Sequence, residues 1–235
     1  MSQDDVMDRL EIIRSIIKAR QFKSYLEIGV GNGRVFHQVR AWRKVAVDPV
    51  MNVDESARQQ ARRRRPLNLL NCYHKVTSDD YFSRLGKGKI FDLVFIDGLH
   101  TYAQCLRDCE NALRHLAPGG MILLHDCNPQ SSSSAWPANS FEDAERQNLD
   151  GWNGEWCGDV WKTVVHLRAR REDLQVSVLD CDFGVGVVTR SKNEPLLKNI
   201  PEDIGGLPYE FLAANRRELL GLRELAYLET FLRAD

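Results

Sequence analysis

The chain has 235 residues, about 1.6 times the roughly 150 of an average domain, so one large domain with additions is expected rather than two full ones. With 43% hydrophobic and 28% charged residues it can build both a core and a wetted surface, which excludes long-range disorder. The 32 Lys and Arg against 33 Asp and Glu leave a net charge of -1, so nucleic acid or an anionic membrane could be held only by a local patch. The apolar runs are too short to span a bilayer, and the acidic start MSQDDVMDRL lacks the basic-then-apolar order of a signal peptide. Cys72, Cys105, Cys109, Cys127, Cys157 and Cys181 include no C-x-x-C pair, so reduced thiols in a cytoplasmic protein are expected.

In chain order, the pattern predicts a helix over 5–19, a strand over 24–29, a helix after Gly33, a strand over 44–48 and a helix over 54–65. Strands at 72–76 and 91–97 follow, then a helix over 101–116 that Pro118, Gly119 and Gly120 stop, and a strand over 120–126. Residues 127–157 break the rhythm with serines, prolines, asparagines and three tryptophans, as a lid or binding segment would. A helix over 158–171, strands over 174–180 and 183–190, and a helix over 209–232 complete the chain. Alternation of strands and helices implies an α/β fold with a parallel sheet. The last two strands are too close for a helical crossover and should form an antiparallel hairpin at one edge, making a seven-stranded mixed sheet with helices on both faces.

The sharpest local signal is YLEIGVGNGRVF: Glu27 near the end of an apolar strand, then Gly29, Gly31 and Gly33. Glycines there permit a tight turn and close approach of a ligand to backbone. A dinucleotide fingerprint would need glycine at position 34, where Arg34 stands. Asp48 closes the second strand, where an acid can accept from ribose hydroxyls, and Ser78 and Asp79 follow the third, where they either face an adenine amino group or cap the next helix.

The stretches YLEIGVGNG, VAVDP, TSDDYF, FDLVFIDGLHTYAQCLRDCENALRHLAPGGMILLHDCNP, GDVWKTV and DFGVGVV resemble, in order and spacing, the class I S-adenosylmethionine (SAM)-dependent methyltransferases, and within that fold methyltransferase family 24. The resemblance spans most of residues 24–190 and implies a Rossmann-like domain with SAM held by Glu27, Gly29, Gly31, Gly33, Asp48, Ser78, Asp79 and Asp97. One domain over 1–235 is expected, with an N-terminal helix at 4–20, an acceptor-side insert at 127–157 and a C-terminal helical extension at 193–235.

The resemblance makes the strands ending at Asp97 and at His125–Asp126 neighbours, so two carboxylates would meet beside the cofactor. Related metal-dependent O-methyltransferases hold a divalent ion at such strand ends, which makes Asp97 and Asp126 candidate Mg²⁺ ligands, although His125 stands where a second acid is often found. His100, three residues beyond Asp97, or His125 could take a proton from an acceptor hydroxyl. The expected function is O-methylation of a small-molecule or glycan hydroxyl, with a homo-oligomer left open. The rivals are a SAM-binding interaction module without transfer activity and a nucleic-acid methyltransferase using Arg62–Arg65. The first is opposed by the retained Asp97, His100, His125 and Asp126. The second is opposed by the absence of an N-P-P-Y-like motif. The arginine run also suits the end of a solvated helix that begins with Asp54 and Glu55.

Overall fold

Asp8 accepts a hydrogen bond from the Glu11 N–H at 3.0 Å and starts α1 (Arg9–Ala19), whose Leu10, Ile13 and Ile17 share one buried face with Ile12 and Ile16. The computed structural model describes residues 7–191 and 195–233. Of the expected terminal segments, positions 4–6, 193–194 and 234–235 lie outside the described residues. The elements that follow are β1 (Ser24–Ile28), β2 (Arg43–Val47), α2 (Glu55–Arg64), β3 (Cys72–His74), α3 (Ser78–Arg84), β4 (Phe91–Ile96), α4 (Tyr102–Arg114) and β5 (Leu116–Leu124). Then come α5 (Phe141–Arg146), α6 (Trp161–Arg170), β6 (Leu174–Leu179), β7 (Val185–Arg190), α7 (Tyr209–Leu220), β8 (Leu222–Arg223) and α8 (Glu229–Leu232). No helix among the described residues is long and apolar enough to cross a membrane.

The strands join in one mixed sheet of order β3-β2-β1-β4-β5-β7-β6-β8. The chain packs as two compact units. The first is built from Asp8–Gly98, Asp108–Ile122 and the stretch from Leu228, and the second mainly from Leu99–Arg107 and Leu123–Tyr227. In the first unit β1 is buried along its whole length and pairs parallel with β2 and β4, so its residues are shielded on both faces. In the second, β6 and β7 pair antiparallel, from Leu174↔Arg190 to Leu179↔Val185.

Several expectations are corrected. Among the described residues the sheet has eight strands rather than seven, and the antiparallel hairpin is not its edge: β7 lies inboard, and the two-residue β8 pairs with β6 outside it. The helix expected after Gly33 is only a 3-10 turn at Phe36–Gln38, because three glycines and three valines in residues 29–42 disfavour a regular helix. The helix expected over 209–232 ends at Leu220, where Gly221 takes the left-handed conformation (φ 54°, ψ 44°) that closes helices, and the chain then enters β8. Pro118 to Gly120 lie inside β5 rather than before it. The 127–157 insert carries α5, capped by Ser140, and buries Asn128, Ser133, Ser134 and Ala144.

Candidate active site

In the first unit the register pairs Ile28 with both Val47 and Ile96, so the next residues along the three strands, Gly29, Asp48 and Asp97, form one row at their carboxyl ends. Gly29 (φ 82°) has no room for a side chain, since a Cβ there would lie 1.8 Å from the Asp97 carbonyl oxygen. The loop therefore folds directly against the end of β4. Gly31 (φ 53°) differs: a Cβ there would meet no heavy atom within 4 Å, so the loop's outer turn stands open to an approaching ligand. Asp48 fixes this turn, accepting from the Gly31 N–H at 2.8 Å and the Val50 N–H at 2.7 Å. A Cβ on Gly33 would crowd the His37 ring at 2.9 Å.

Glu27 does not line that surface. It is buried and accepts from the Tyr25 hydroxyl at 2.5 Å, and burial pushes its carboxyl up to about 8. Lys44, which the sequence reading did not single out, is buried on the neighbouring strand. Its Nζ donates to the Phe36 carbonyl (2.7 Å), the Val39 carbonyl (3.1 Å) and Asn68 Oδ1 (2.6 Å), while burial pulls its pKa down to about 7. Burial, with the charges of Lys44 and Arg58, also pulls His37 down to about 4, so this ring is neutral at pH 7. These groups clamp the Phe36–Gln38 turn beneath the glycine loop. Ser78 and Asp79 open α3, but its cap is Thr77, whose hydroxyl accepts from the Asp80 N–H at 3.1 Å. Asp97 accepts from Arg9 Nη1 at 3.0 Å.

In the second unit one carboxylate has three close polar neighbours. Asp126 Oδ2 lies 2.8 Å from His125 Nδ1 and 3.2 Å from His100 Nε2, and the buried Cys157 thiol also hydrogen-bonds to Asp126. Burial and that carboxylate raise the Cys157 pKa, so the group stays a thiol. Asp126 is itself in the left-handed region (φ 59°), a conformation costing a non-glycine residue about 1–2 kcal/mol that the surrounding bonds must hold.

His100 is fixed by the insert. Its Nδ1 lies 3.1 Å from the Trp156 carbonyl, which can only accept, so that nitrogen carries a hydrogen and Nε2 is the one facing Asp126. The Trp156 indole stacks on the ring with centroids 4.9 Å apart. Gly158 (φ 60°) lets the insert close: a Cβ there would lie 1.9 Å from the His100 carbonyl oxygen. Asp159 Oδ1 accepts from the Tyr102 N–H at 2.5 Å and so caps α4 just beyond His100. The two histidines differ in access, with side chains 20% exposed for His100 and 3% for His125, whose Nε2 lies 3.6 Å from Asp182 Oδ2.

Of the residues singled out from the sequence, Asp48 and Asp97 stand in one row of strand ends and His100, His125 and Asp126 lie together, with Trp156 of the insert stacked on His100; Arg9, Lys44, Cys157 and Asp182 were not singled out as site residues. None of these four carries a local signal in the sequence.

Residues 26–127 match the family model described as "Methyltransferase domain", methyltransferase family 24. No curated protein matches the chain. Among solved structures, the O-methyltransferase from Bacillus cereus in complex with S-adenosylhomocysteine (SAH) superposes with a TM-score of 0.56 at 16% identity, covering 81% of this chain and 84% of that one. TomG from Streptomyces achromogenes, an O-methyltransferase of tomaymycin synthesis in complex with SAM, gives 0.55 at 14% identity over 80% and 83% of the two chains. A putative caffeoyl-CoA O-methyltransferase from Staphylococcus aureus gives 0.53 at 15% identity over 79% and 85%. Residues 26–127 are therefore similar to that methyltransferase-domain family, and the chain shares the Rossmann-like α/β fold of these O-methyltransferase structures.

Proposed function

We propose that the protein transfers a methyl group from SAM to a hydroxyl of a small-molecule or glycan acceptor in the cytoplasm. The observation that carries the reading is the His100–Asp126 pair, a partly exposed imidazole whose outer nitrogen faces a buried carboxylate. When bound, SAM supplies a methyl group on a sulfonium, electrophilic toward oxygen. The open turn at Gly31 and the Asp48 carboxylate fit such a nucleoside, with Gly29, Gly33, Ser78, Asp79 and Asp97 along the same strand ends. Glu27 acts through the loop it supports.

A hydroxyl is a weak nucleophile until its proton is taken. His100 Nε2 receives that proton. The imidazolium then gives both N–H groups to acceptors already in place, the Trp156 carbonyl and Asp126 Oδ2. His125 is too buried to meet the acceptor; it holds Asp126 in position and is a positioning residue. The insert presents Trp136, Trp152 and Trp156 for acceptor contact and water exclusion.

Asp97 already accepts from the Arg9 guanidinium and Asp126 lies against two imidazoles, and no step is routed through a metal. The test is mass spectrometry of acceptor pools incubated with isotopically labelled methyl donor. Oxygen-linked label in a small product supports the reading, and label confined to nitrogen, or to nucleic acid, contradicts it.

A further inference from the structure

The first unit has a concavity remote from the glycine loop. It is an open groove of about 640 Å³ where the last turns of α1 meet the segments entering β1 and β2. Lys23 and Trp42 immediately precede Ser24 of β1 and Arg43 of β2, so the groove lies at the amino ends of strands whose carboxyl ends carry Gly29 and Asp48. Five residues at about 3.3 Å each place the two regions about 16 Å apart.

Arg14, Lys18, Lys23, Arg40 and Arg65 line this groove, and among the described residues no acidic one does. Among the described residues none of the five pairs with a carboxylate, in a chain whose overall charge is -1. Two of the guanidiniums are preorganised. Arg14 Nη2 donates to Gln38 Oε1 at 3.1 Å and its Nε to the Gln38 carbonyl at 3.3 Å, and Arg65 Nη1 donates to that same carbonyl at 2.5 Å. Two like charges thus converge on one neutral acceptor, and burial with the charges of Arg40 and Arg14 lowers the Arg65 pKa. Such a cluster destabilises the free protein and gains when an anion enters. Arginine forks match phosphate oxygens. At the rim, the Trp42 indole is 64% exposed, a flat apolar face left in water beside the cations.

We propose that this groove binds a phosphorylated nucleotide, its phosphates on the arginines and lysines and its base stacked on Trp42. The volume suits one small ligand, and the pairing of a cationic groove with an exposed aromatic is the chemistry by which free nucleotides and single-stranded nucleic acid are both held.

The test uses the full chain, with UTP, inorganic triphosphate and oligo(U) as probes, titrated by calorimetry at low salt with and without saturating SAH. The SAH arm separates this groove from the proposed cofactor site and stands whether or not that proposal survives. The expected result is UTP binding that SAH does not displace, that exceeds inorganic triphosphate, and that falls about tenfold or more in Arg40→Glu and, independently, in the exposed Lys18→Glu, with SAH affinity unchanged. Trp42→Phe should remove the fluorescence quench on UTP addition. Oligo(U) tighter than UTP would assign the site to a nucleic-acid strand, and equal or weaker binding to the free nucleotide. Displacement of UTP by SAH, indifference to both charge reversals, or no binding at about millimolar UTP would overturn the proposal.

Discussion

Alanine in place of Gly29 and of Gly31 should have unlike effects, although the two are separated by one residue. At Gly29 a Cβ would lie 1.8 Å from the Asp97 oxygen, 2.3 Å from its carbonyl carbon and 2.6 Å from Gly98 Cα. All three are backbone atoms at the end of β4, and none can swing aside. Overpacking costs about 1–3 kcal/mol and a left-handed non-glycine residue about 1–2 kcal/mol, so Gly29→Ala should destabilise by roughly 2–5 kcal/mol. At Gly31 only the backbone term applies, because no heavy atom lies within 4 Å of the new methyl, and the loss should be about 1–2 kcal/mol. The open space that spares stability is where the nucleoside is proposed to approach. Gly31→Ala should therefore weaken SAH binding about tenfold while the fold persists. Urea titration gives the first quantity and calorimetry with SAH the second. Equal destabilisation by the two changes, or unaltered SAH affinity in Gly31→Ala, would refute this account of the loop.

Burial raises Glu27 from 4.5 to about 8, so its contribution to stability is present below the ordinary carboxylate value and is lost as pH rises through about 8. The stability difference between wild type and Glu27→Gln should shrink over that window, and a difference independent of pH would contradict the shift. Trp156→Ala removes the ring stacked on His100 but keeps the carbonyl that orients it, so kcat should fall about 10–100-fold with SAH affinity unchanged; an unaltered kcat would separate the insert from the reaction. Excess EDTA should leave methyl transfer intact, and loss of activity restored by Mg²⁺ would reinstate Asp97 and Asp126 as metal ligands.

Features written in neighbouring residues were legible in the sequence. The glycine loop, Asp48 at a strand end and the β6–β7 hairpin each follow from turn chemistry and from the distance between apolar runs. Features that depend on distant partners were not. Lys44 reads as an ordinary charge in RKVAV, and its burial is understandable only once Asn68 and the carbonyls of Phe36 and Val39 surround its Nζ. His100, His125 and Asp126 were all candidates, but sequence alone could not rank the histidines. The ranking proposed above rests on the Trp156 carbonyl, 56 residues from His100, and on the difference in exposure of the two rings. The break at Gly221 was overlooked because apolar periodicity continues past it, although glycine there is a stop signal in its own right.

The central claim is that His100 takes the acceptor's proton. It is tested most directly by single-turnover methyl transfer in wild type and His100→Gln, with SAH affinity measured alongside. The account predicts that transfer slows by about 10²–10⁴-fold in the variant at unchanged SAH affinity, and that raising the pH narrows the gap as the acceptor hydroxyl ionises unaided. Transfer by His100→Gln at the wild-type rate would contradict it.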